Sequence, residues 1–290
     1  MNVLQELKPV KKFFIGIDSD GCVFDTMEVK QKEFFIPNAV KYFELFAISK
    51  YVRETWEFVN LYSVTRGINR FPALVKVMDL LAERPEIIEM GFKLPDMESL
   101  REWISKETKL GNPTLKEYVN NNPHPSLDPI LKWTLAVNED IGKWLRNTPP
   151  FPYARKSIEK LSGLTDAIVV SQTPYEALAR EWEEHGIDKF VRAIAGQELG
   201  TKTQHIAMAA KDKYPDENIL MIGDAPGDFK AASGNGALFF PVIPGNENRS
   251  WKLFYEEALE KFINSQYKGT YQDHLISEFE KSLPDKPSWK

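Results

Sequence analysis

Two carboxylates, one residue apart, follow a short apolar run near the start of the chain. The run is Phe13–Ile17, and the carboxylates are Asp18 and Asp20. An unbroken apolar run of this length predicts a strand that is buried on both faces, as in a parallel sheet. Ligands of open parallel sheets bind beyond the carboxyl ends of the strands. We therefore expect the two aspartates to lie at the edge of a site.

The spacing of this pair suggests a metal. Side chains alternate along an extended segment, so Asp18 and Asp20 share one side while Ser19 points to the other. Neighbouring carboxylates repel each other unless a cation or a shared proton relieves the repulsion, and a divalent metal does so naturally. Two aspartates that cap a turn or a helix would show the same pattern.

Strands and helices alternate in the second half of the chain. Beyond a proline-rich stretch at 148–152, the sequence predicts strands at 167–170, 191–195, 219–222 and 237–240, with helices between them. This alternation implies right-handed crossovers. The predicted fold class is therefore α/β, a doubly wound, Rossmann-like parallel sheet.

More polar side chains follow these strands. Ser171 ends one strand, Asp224 and Asp228 follow another, and Lys202 precedes a helix. The carboxyl ends of parallel strands lie on one edge, so these residues can converge with the first two aspartates. Carboxylates suit Mg²⁺, whereas the hydroxyl, the ammonium and the N–H groups of a helix start after Ser171 suit phosphate. Each residue alone also fits a cap, a turn or a solvated side chain, but the joint arrangement favours a site.

The pattern divides the chain into four segments. These are a core strand and loop at 1–25, a helical cap at 26–148, core at 149–245, and helices packing on the core at 246–290. Between two cap helices, Arg66 and Arg70 are candidates for binding a second anionic group of the substrate. Two solvated arginines fit that stretch equally well.

Composition narrows the class of protein. The 290 residues are 42% hydrophobic and 27% charged, with a net charge of -5 and no basic block, which argues against a nucleic-acid partner. No apolar run approaches the ~20 residues that span a membrane, and the first residues lack the apolar stretch of a signal peptide. The single cysteine, Cys22, excludes an internal disulfide and fits a small buried side chain. We expect a cytoplasmic protein, either a monomer or a weak homodimer.

The order of these motifs resembles that of a known family. The motifs are Asp18-x-Asp20-Gly21, Ser171 after a strand, an isolated Lys202, and Gly223-Asp224-x-x-x-Asp228. Together they resemble the haloacid dehalogenase-like (HAD) superfamily of phosphohydrolases, over roughly residues 10–25 and 149–241. The helical segment after the first motif resembles the helical cap of that family.

The resemblance implies roles for the residues at the first and last motifs. Asp18 would be the nucleophile that forms an aspartyl-phosphate, and Asp20 would protonate the leaving group and then activate water. Mg²⁺ would bind the Asp18 carboxylate, the main-chain carbonyl of Asp20, and Asp224. Asp228 would hold a metal-bound water or orient Lys202.

The same resemblance assigns the phosphate to two side chains and one main-chain group. Ser171 and Lys202 would bind the phosphoryl oxygens, and Gln172 would add its backbone N–H. A carboxylate at Asp20 disfavours the dehalogenases and phosphonatases of the family, which lack one there. The predicted function is a Mg²⁺-dependent phosphatase acting on a small phosphorylated metabolite. The alternatives are a sugar phosphomutase of the same fold and a non-catalytic binding protein.

Overall fold

The computed structural model describes residues 3–290, which form two compact units. The sheet unit comprises residues 3–27 and Arg146–Leu283. The helical unit comprises Glu28–Leu145 and Pro284–Lys290. The chain therefore crosses between the units after Met27, after Leu145 and after Leu283.

The sheet unit is built on five parallel strands. They are β1 (Phe13–Ile17), β2 (Thr165–Val170), β3 (Ala193–Ala195), β4 (Ile219–Gly223) and β5 (Leu238–Pro241). Their order across the sheet is β3-β2-β1-β4-β5, and each neighbouring pair is parallel. The predicted fold class is confirmed. Strand order reverses between β1 and β4, which is where ligands bind in open α/β sheets.

The central strand β1 is buried along its whole length. Phe13, Ile15 and Ile17 pack into one hydrophobic cluster. Phe14, from the alternate position, packs into a second cluster. Because successive side chains of a strand point to opposite faces, two clusters imply that both faces of the sheet are covered by apolar side chains. That double burial explains the unbroken apolar run in the sequence.

Helices account for most of the rest of the chain. In the described part they are, in chain order, α1 (Val3–Glu6), α2 (Thr26–Val29), α3 (Ile36–Tyr42), α4 (Ser49–Asn60), α5 (Arg70–Ala82), α6 (Pro85–Glu89), α7 (Glu98–Lys106), α8 (Asn112–Asn121), α9 (Leu127–Trp144), α10 (Pro152–Ser162), α11 (Tyr175–Glu184), α12 (Lys202–Ala209), α13 (Pro226–Ser233), α14 (Glu247–Leu253), α15 (Leu259–Ile263) and α16 (Thr270–Ser282). Two π-helical segments, Lys30–Phe35 and Phe254–Ala258, join α2 to α3 and α14 to α15. Each of these helices lies in the part of the chain described above, and none is long and apolar enough to cross a lipid bilayer.

Aromatic side chains cluster around Trp133 in the core of the helical unit. The Trp133 ring contacts Phe35, Phe43 and Trp56 with centroid distances of 5.8–6.0 Å. Aromatic contacts of this kind add to the stabilisation that comes from burial alone. These aromatic residues come from the π-helical segment Lys30–Phe35, the end of α3, α4 and α9, so their contacts hold those elements together.

The end of the chain belongs to the helical unit. Trp289 packs edge-on against Phe58, with centroids 5.7 Å apart. The Arg84 guanidinium lies 4.3 Å from the centre of the Trp289 ring and 4.9 Å from that of Tyr51. A guanidinium between two aromatic faces is stabilised by cation–π attraction. The structure thus assigns Pro284–Lys290 to the helical unit, whereas the sequence predicted that all of 246–290 packs on the core.

Candidate active site

The loop after β1 presents Asp18 and Asp20 at the carboxyl edge of the sheet. The Asp18 N–H donates to the Ile222 carbonyl at 2.9 Å, which continues the pairing of β1 with β4 by one residue. The chain then turns at Gly21, where φ is +78°, a region that L side chains rarely adopt. The intervening Ser19 is fully buried, and its hydroxyl accepts from Trp182 Nε1 at 3.0 Å.

Three carboxylates meet at this edge. Asp18, Asp224 and Asp228 are each at most 4% exposed, and each offers a carboxylate oxygen within 4.8 Å of the others. Asp224 comes directly after β4, and Asp228 lies in the first turn of α13. Gly223 is required here, because a Cβ added to it would lie 2.3 Å from the Cβ of Asp228. We call these three aspartates the acidic cluster.

Lys202 lies beside the acidic cluster and places a positive charge against two of its carboxylates. Its Nζ lies 2.8 Å from Asp18 Oδ2 and 2.6 Å from Asp228 Oδ1. Burial works to lower the pKa of Lys202, but the two carboxylates outweigh it and raise that pKa above its ordinary value. Lys202 is the first residue of α12, and the hydroxyl of Thr201 caps that helix by accepting from the N–H of Gln204.

The surroundings of Asp18 disfavour the ionised form of its carboxyl group. Burial raises its pKa well above the ordinary value, and the negative charge of Asp228 raises it further. Lys202 opposes this shift, while Asp224 adds to it. A single ammonium therefore leaves excess negative charge among three buried carboxylates, and a divalent cation would offset that excess.

The donor set fits Mg²⁺. It consists of buried carboxylate oxygens, the hard ligands that Mg²⁺ prefers, close enough together to share one ion. Aspartates 18, 224 and 228 are the side chains that would hold it. Among the described residues, these three aspartates form the one group of acidic, histidine or cysteine side chains that are close enough together to hold a metal ion.

Ser171 and Gln172 follow β2 at the same edge. Ser171 is buried, and its Oγ accepts from the N–H of Thr173 at 3.2 Å. The exposed Gln172 donates from its side-chain amide to the Gly200 carbonyl at 2.9 Å, which ties it to the turn before Lys202. Helix α11 begins at Tyr175, after Pro174, which confirms the prediction of a helix that starts after Ser171. A proline in the intervening Ser-Gln-Thr-Pro segment delays the helix, because it disfavours helical geometry in the residue before it.

Asp20 stands apart from the acidic cluster, and two threonines hold it. Its Oδ1 accepts from the Thr26 hydroxyl at 2.5 Å, and its Oδ2 accepts from the Thr173 hydroxyl at 2.8 Å. Sequence reasoning missed both threonines. One signal was available: Thr173 lies two positions after Ser171, so in extended chain both side chains share a side.

The two arginines considered for substrate binding are anchored inside the helical unit. Arg66 is 4% exposed and donates to the Leu61 carbonyl at 2.8 Å. Arg70 donates to Asn138 Oδ1 at 2.8 Å and lies 4.8 Å from the centre of the Phe35 ring. Burial lowers the pKa of Arg70 to about 10. The alternative that both are solvated surface arginines is wrong, and their role in specificity stays a prediction.

Comparison with solved structures places the fold. A candidate phosphoglycolate phosphatase from Lactobacillus delbrueckii subsp. bulgaricus aligns over 90% of this chain and 100% of its own, with 17% identity and a TM-score of 0.50. One from Haemophilus somnus covers 82% of this chain and 89% of its own, with 16% identity and a TM-score of 0.50. The chain has the fold of the HAD-like hydrolases.

Other comparisons add less. A candidate HAD hydrolase, YfnB from Bacillus subtilis, solved with magnesium bound, covers 79% of this chain and 86% of its own, at 15% identity and a TM-score of 0.40. The sequence matches no protein-family model and no curated protein. At these identities the HAD likeness extends to the fold, and any activity has to be argued from the side chains of the site.

Proposed function

We propose that this chain is a Mg²⁺-dependent phosphatase that hydrolyses a small phosphorylated metabolite through an aspartyl-phosphate. The observation that carries the proposal is the acidic cluster at the point where strand order reverses, with the Lys202 ammonium 2.8 Å from Asp18. Carboxylates and one ammonium, buried at the edge of a HAD-like sheet, suit phosphoryl transfer, in which catalysis is chiefly positioning and charge stabilisation.

In the first half of the reaction, a carboxylate oxygen of Asp18 forms a bond to phosphorus as the bond from phosphorus to the leaving oxygen breaks. Asp20 gives its proton to that leaving oxygen, so the product departs as an alcohol. Lys202 and Ser171 bind the phosphoryl oxygens, where negative charge must be stabilised. Bound Mg²⁺ supplies the positive charge that lets an anionic carboxylate approach an anionic phosphate.

In the second half, water attacks phosphorus and the bond between Asp18 and phosphorus breaks. Asp20, now a carboxylate, accepts the proton of the attacking water, which returns both aspartates to their starting forms. Splitting one displacement into two lets the same carboxyl group serve first as acid and then as base. Gln172 supports this site by holding the turn that precedes Lys202.

The experiment that tests the proposal is phosphate release from p-nitrophenyl phosphate and from a panel of phosphorylated metabolites, with Mg²⁺ and with EDTA. We expect turnover that needs Mg²⁺ and that is abolished by Asp18→Asn. The exposed Asp273 provides the matched control Asp273→Asn, which should retain full activity. Activity that survives both Asp18→Asn and EDTA would contradict the mechanism.

The same panel separates the phosphatase from its alternatives. Phosphorus NMR of each reaction would reveal a sugar phosphate that isomerises faster than it releases phosphate, which is the mark of a mutase. Tight binding to a protein with no turnover would indicate a binding role. We also propose that the chain acts in the cytoplasm as a monomer or weak homodimer; its one cysteine, Cys22, is buried and forms no disulfide. Sedimentation of the purified protein measures its oligomeric state.

A further inference from the structure

Both carboxylate oxygens of Asp20 accept hydrogen bonds, from hydroxyl groups on two separate segments of the chain. Thr26, six residues further along the chain, donates to Oδ1 at 2.5 Å. Thr173, which is 153 residues away in sequence, donates to Oδ2 at 2.8 Å. Each hydroxyl has one proton to donate, so each threonine commits its proton to Asp20.

The two threonines are themselves held in place. Thr26 is fully buried and is the first residue of α2. Thr173 donates its N–H to Ser171 Oγ at 3.2 Å, and its carbonyl accepts from the N–H of Gln197 at 3.1 Å. The main chain of Thr173 therefore bonds to the proposed phosphate-binding serine while its side chain bonds to Asp20. This arrangement fixes the separation between the phosphate-binding loop and the carboxyl group.

We propose that Thr26 and Thr173 are positioning residues that aim the Asp20 carboxyl at the leaving oxygen of the substrate. Thr26 fixes the rotamer of Asp20 through Oδ1. Thr173 ties Oδ2 to the loop that carries Ser171. The proton that Asp20 transfers to the leaving oxygen thus starts from a defined place relative to the phosphate, which is what general acid catalysis requires.

This inference rests on the proposed phosphatase function and predicts a dependence on the leaving group. Nitrophenolate leaves without help, because it is a weak base, whereas an alkoxide must be protonated as it departs. A variant in which the Asp20 carboxyl group is no longer held in position should therefore hydrolyse an alkyl phosphate more slowly, and lose less activity on p-nitrophenyl phosphate. A merely structural defect would slow both equally.

The test measures kcat/KM for glycerol 2-phosphate and for p-nitrophenyl phosphate, because this constant reports the half-reaction in which the leaving group departs. Thr173→Val should lower kcat/KM for the alkyl substrate by about tenfold more than for the nitrophenyl substrate, a fraction of what a general acid contributes. Asp20→Asn should also lower kcat/KM more for the alkyl substrate than for the nitrophenyl substrate, and by a larger factor than Thr173→Val. Thr173→Ser, which keeps the hydroxyl, should restore both substrates to near the wild-type values.

Thr26→Val and Thr26→Ser extend the test to Oδ1 of Asp20, with circular dichroism to verify folding. Should the fully buried Thr26→Val fail to fold, the partly exposed Thr173 still decides the question. The matched control is Thr165→Val, at the opposite end of β2, whose hydroxyl bonds to the Leu161 carbonyl. It should leave the ratio of the two substrates unchanged.

The outcomes are separable. Equal losses for both substrates in Thr173→Val, or a loss that Thr173→Ser does not rescue, overturn the positioning role and leave the phosphatase intact. A wild-type protein that turns over neither substrate nor any member of the metabolite panel overturns the proposed function, and the positioning role with it. A biased loss with rescue by serine supports both.

Discussion

The ammonium of Lys202 lies 2.6 Å from Oδ1 of Asp228, a carboxylate that is fully buried. The second oxygen of Asp228 accepts from the Ala225 N–H at 3.0 Å. Asp228 thus joins the starts of two helices, α12 and α13, and shares the Lys202 ammonium with the proposed nucleophile. Breaking one partner of a buried ion pair is costly, since the other charge is left uncompensated.

Lys202→Met should inactivate the protein. We expect kcat to fall by about 100-fold or more, as when a preorganised donor to a developing charge is removed. The exposed Lys230 offers the matched control Lys230→Met, which should leave kcat unchanged. Phosphate release at saturating substrate measures the effect. A Lys202→Met variant with wild-type kcat would remove Lys202 from the mechanism.

Mg²⁺ should stabilise the folded protein through the acidic cluster. At about a hundredfold excess over its Kd, one bound ion adds about 3 kcal/mol to the free energy of unfolding. Asp224→Asn should diminish this gain, because it removes one charged ligand. Thermal unfolding with and without Mg²⁺ measures the gain, and Asp273→Asn should keep it in full. An undiminished gain in Asp224→Asn would mean that the ion binds elsewhere.

His205 should make the fold sensitive to acid. It is fully buried in α12, and burial, aided by the charge of Lys202, lowers its pKa from 6.5 to about 4. The unfolded chain then binds a proton more readily than the folded one. Stability from this group is complete above pH 6.5 and is lost as the pH falls from about 6.5 toward 4, by about 3 kcal/mol in total.

Urea unfolding between pH 4 and 7.5 checks the prediction for His205. In His205→Gln the slope of stability against pH across this range should become shallower, whatever the overall stability of the variant. The exposed His274 supplies the control His274→Gln, which should follow the wild-type slope. A wild-type slope in His205→Gln would place the acid sensitivity in other groups.

Asp166 should be a determinant of stability that catalysis does not need. At the amino end of β2, its Oδ2 accepts from the N–H groups of Val10 and Lys11 at 2.8 and 2.9 Å, and from the Tyr214 hydroxyl at 2.7 Å. Asp166→Ala strips these donors of their acceptor, which should cost about 3 kcal/mol of unfolding free energy. Tyr214→Phe should cost about 1 kcal/mol.

Denaturant unfolding measures both variants, and kcat should stay at the wild-type value, because Asp166 lies at the edge of the sheet opposite Asp18. The pH dependence has a definite sign. Burial raises the pKa of Asp166, but the hydrogen bonds from Lys11 and Val10 prevail and hold it below its ordinary value. This stabilisation is therefore present above about pH 4 and is lost as the pH falls further.

The sequence predicted the parallel sheet because the evidence for it is local. An apolar run such as Phe13–Ile17 has one favourable environment, the middle of a covered sheet, and polar residues directly after such runs have to lie at its edge. Ser171 and Asp224 could be placed in this way without knowledge of any contact. The same argument brought Asp18 and Asp224 together across most of the chain.

Contacts set by the closure of loops could not be predicted. The bond from Thr173 to Asp20 depends on how the Ser-Gln-Thr-Pro segment turns before α11, and no periodicity encodes that turn. Strand β3 is shorter than the predicted 191–195, since the chain bends at 191–192 between the short 3-10 helix Asp188–Phe190 and the strand. Arg66 donates to the Leu61 carbonyl in the turn after α4, and the sequence pattern does not encode that contact.

The packing of Trp289 on Arg84 sets an order of events during protein synthesis. Chains emerge from the ribosome starting at their N-terminus, and domains generally fold as they emerge. Residues 28–145 emerge long before Trp289. The guanidinium of Arg84 can therefore contact Tyr51 early, but it gains its contact with Trp289 only after all of Arg146–Leu283 has been translated. The helical unit is thus finished last, after the whole second segment of the sheet unit has been made.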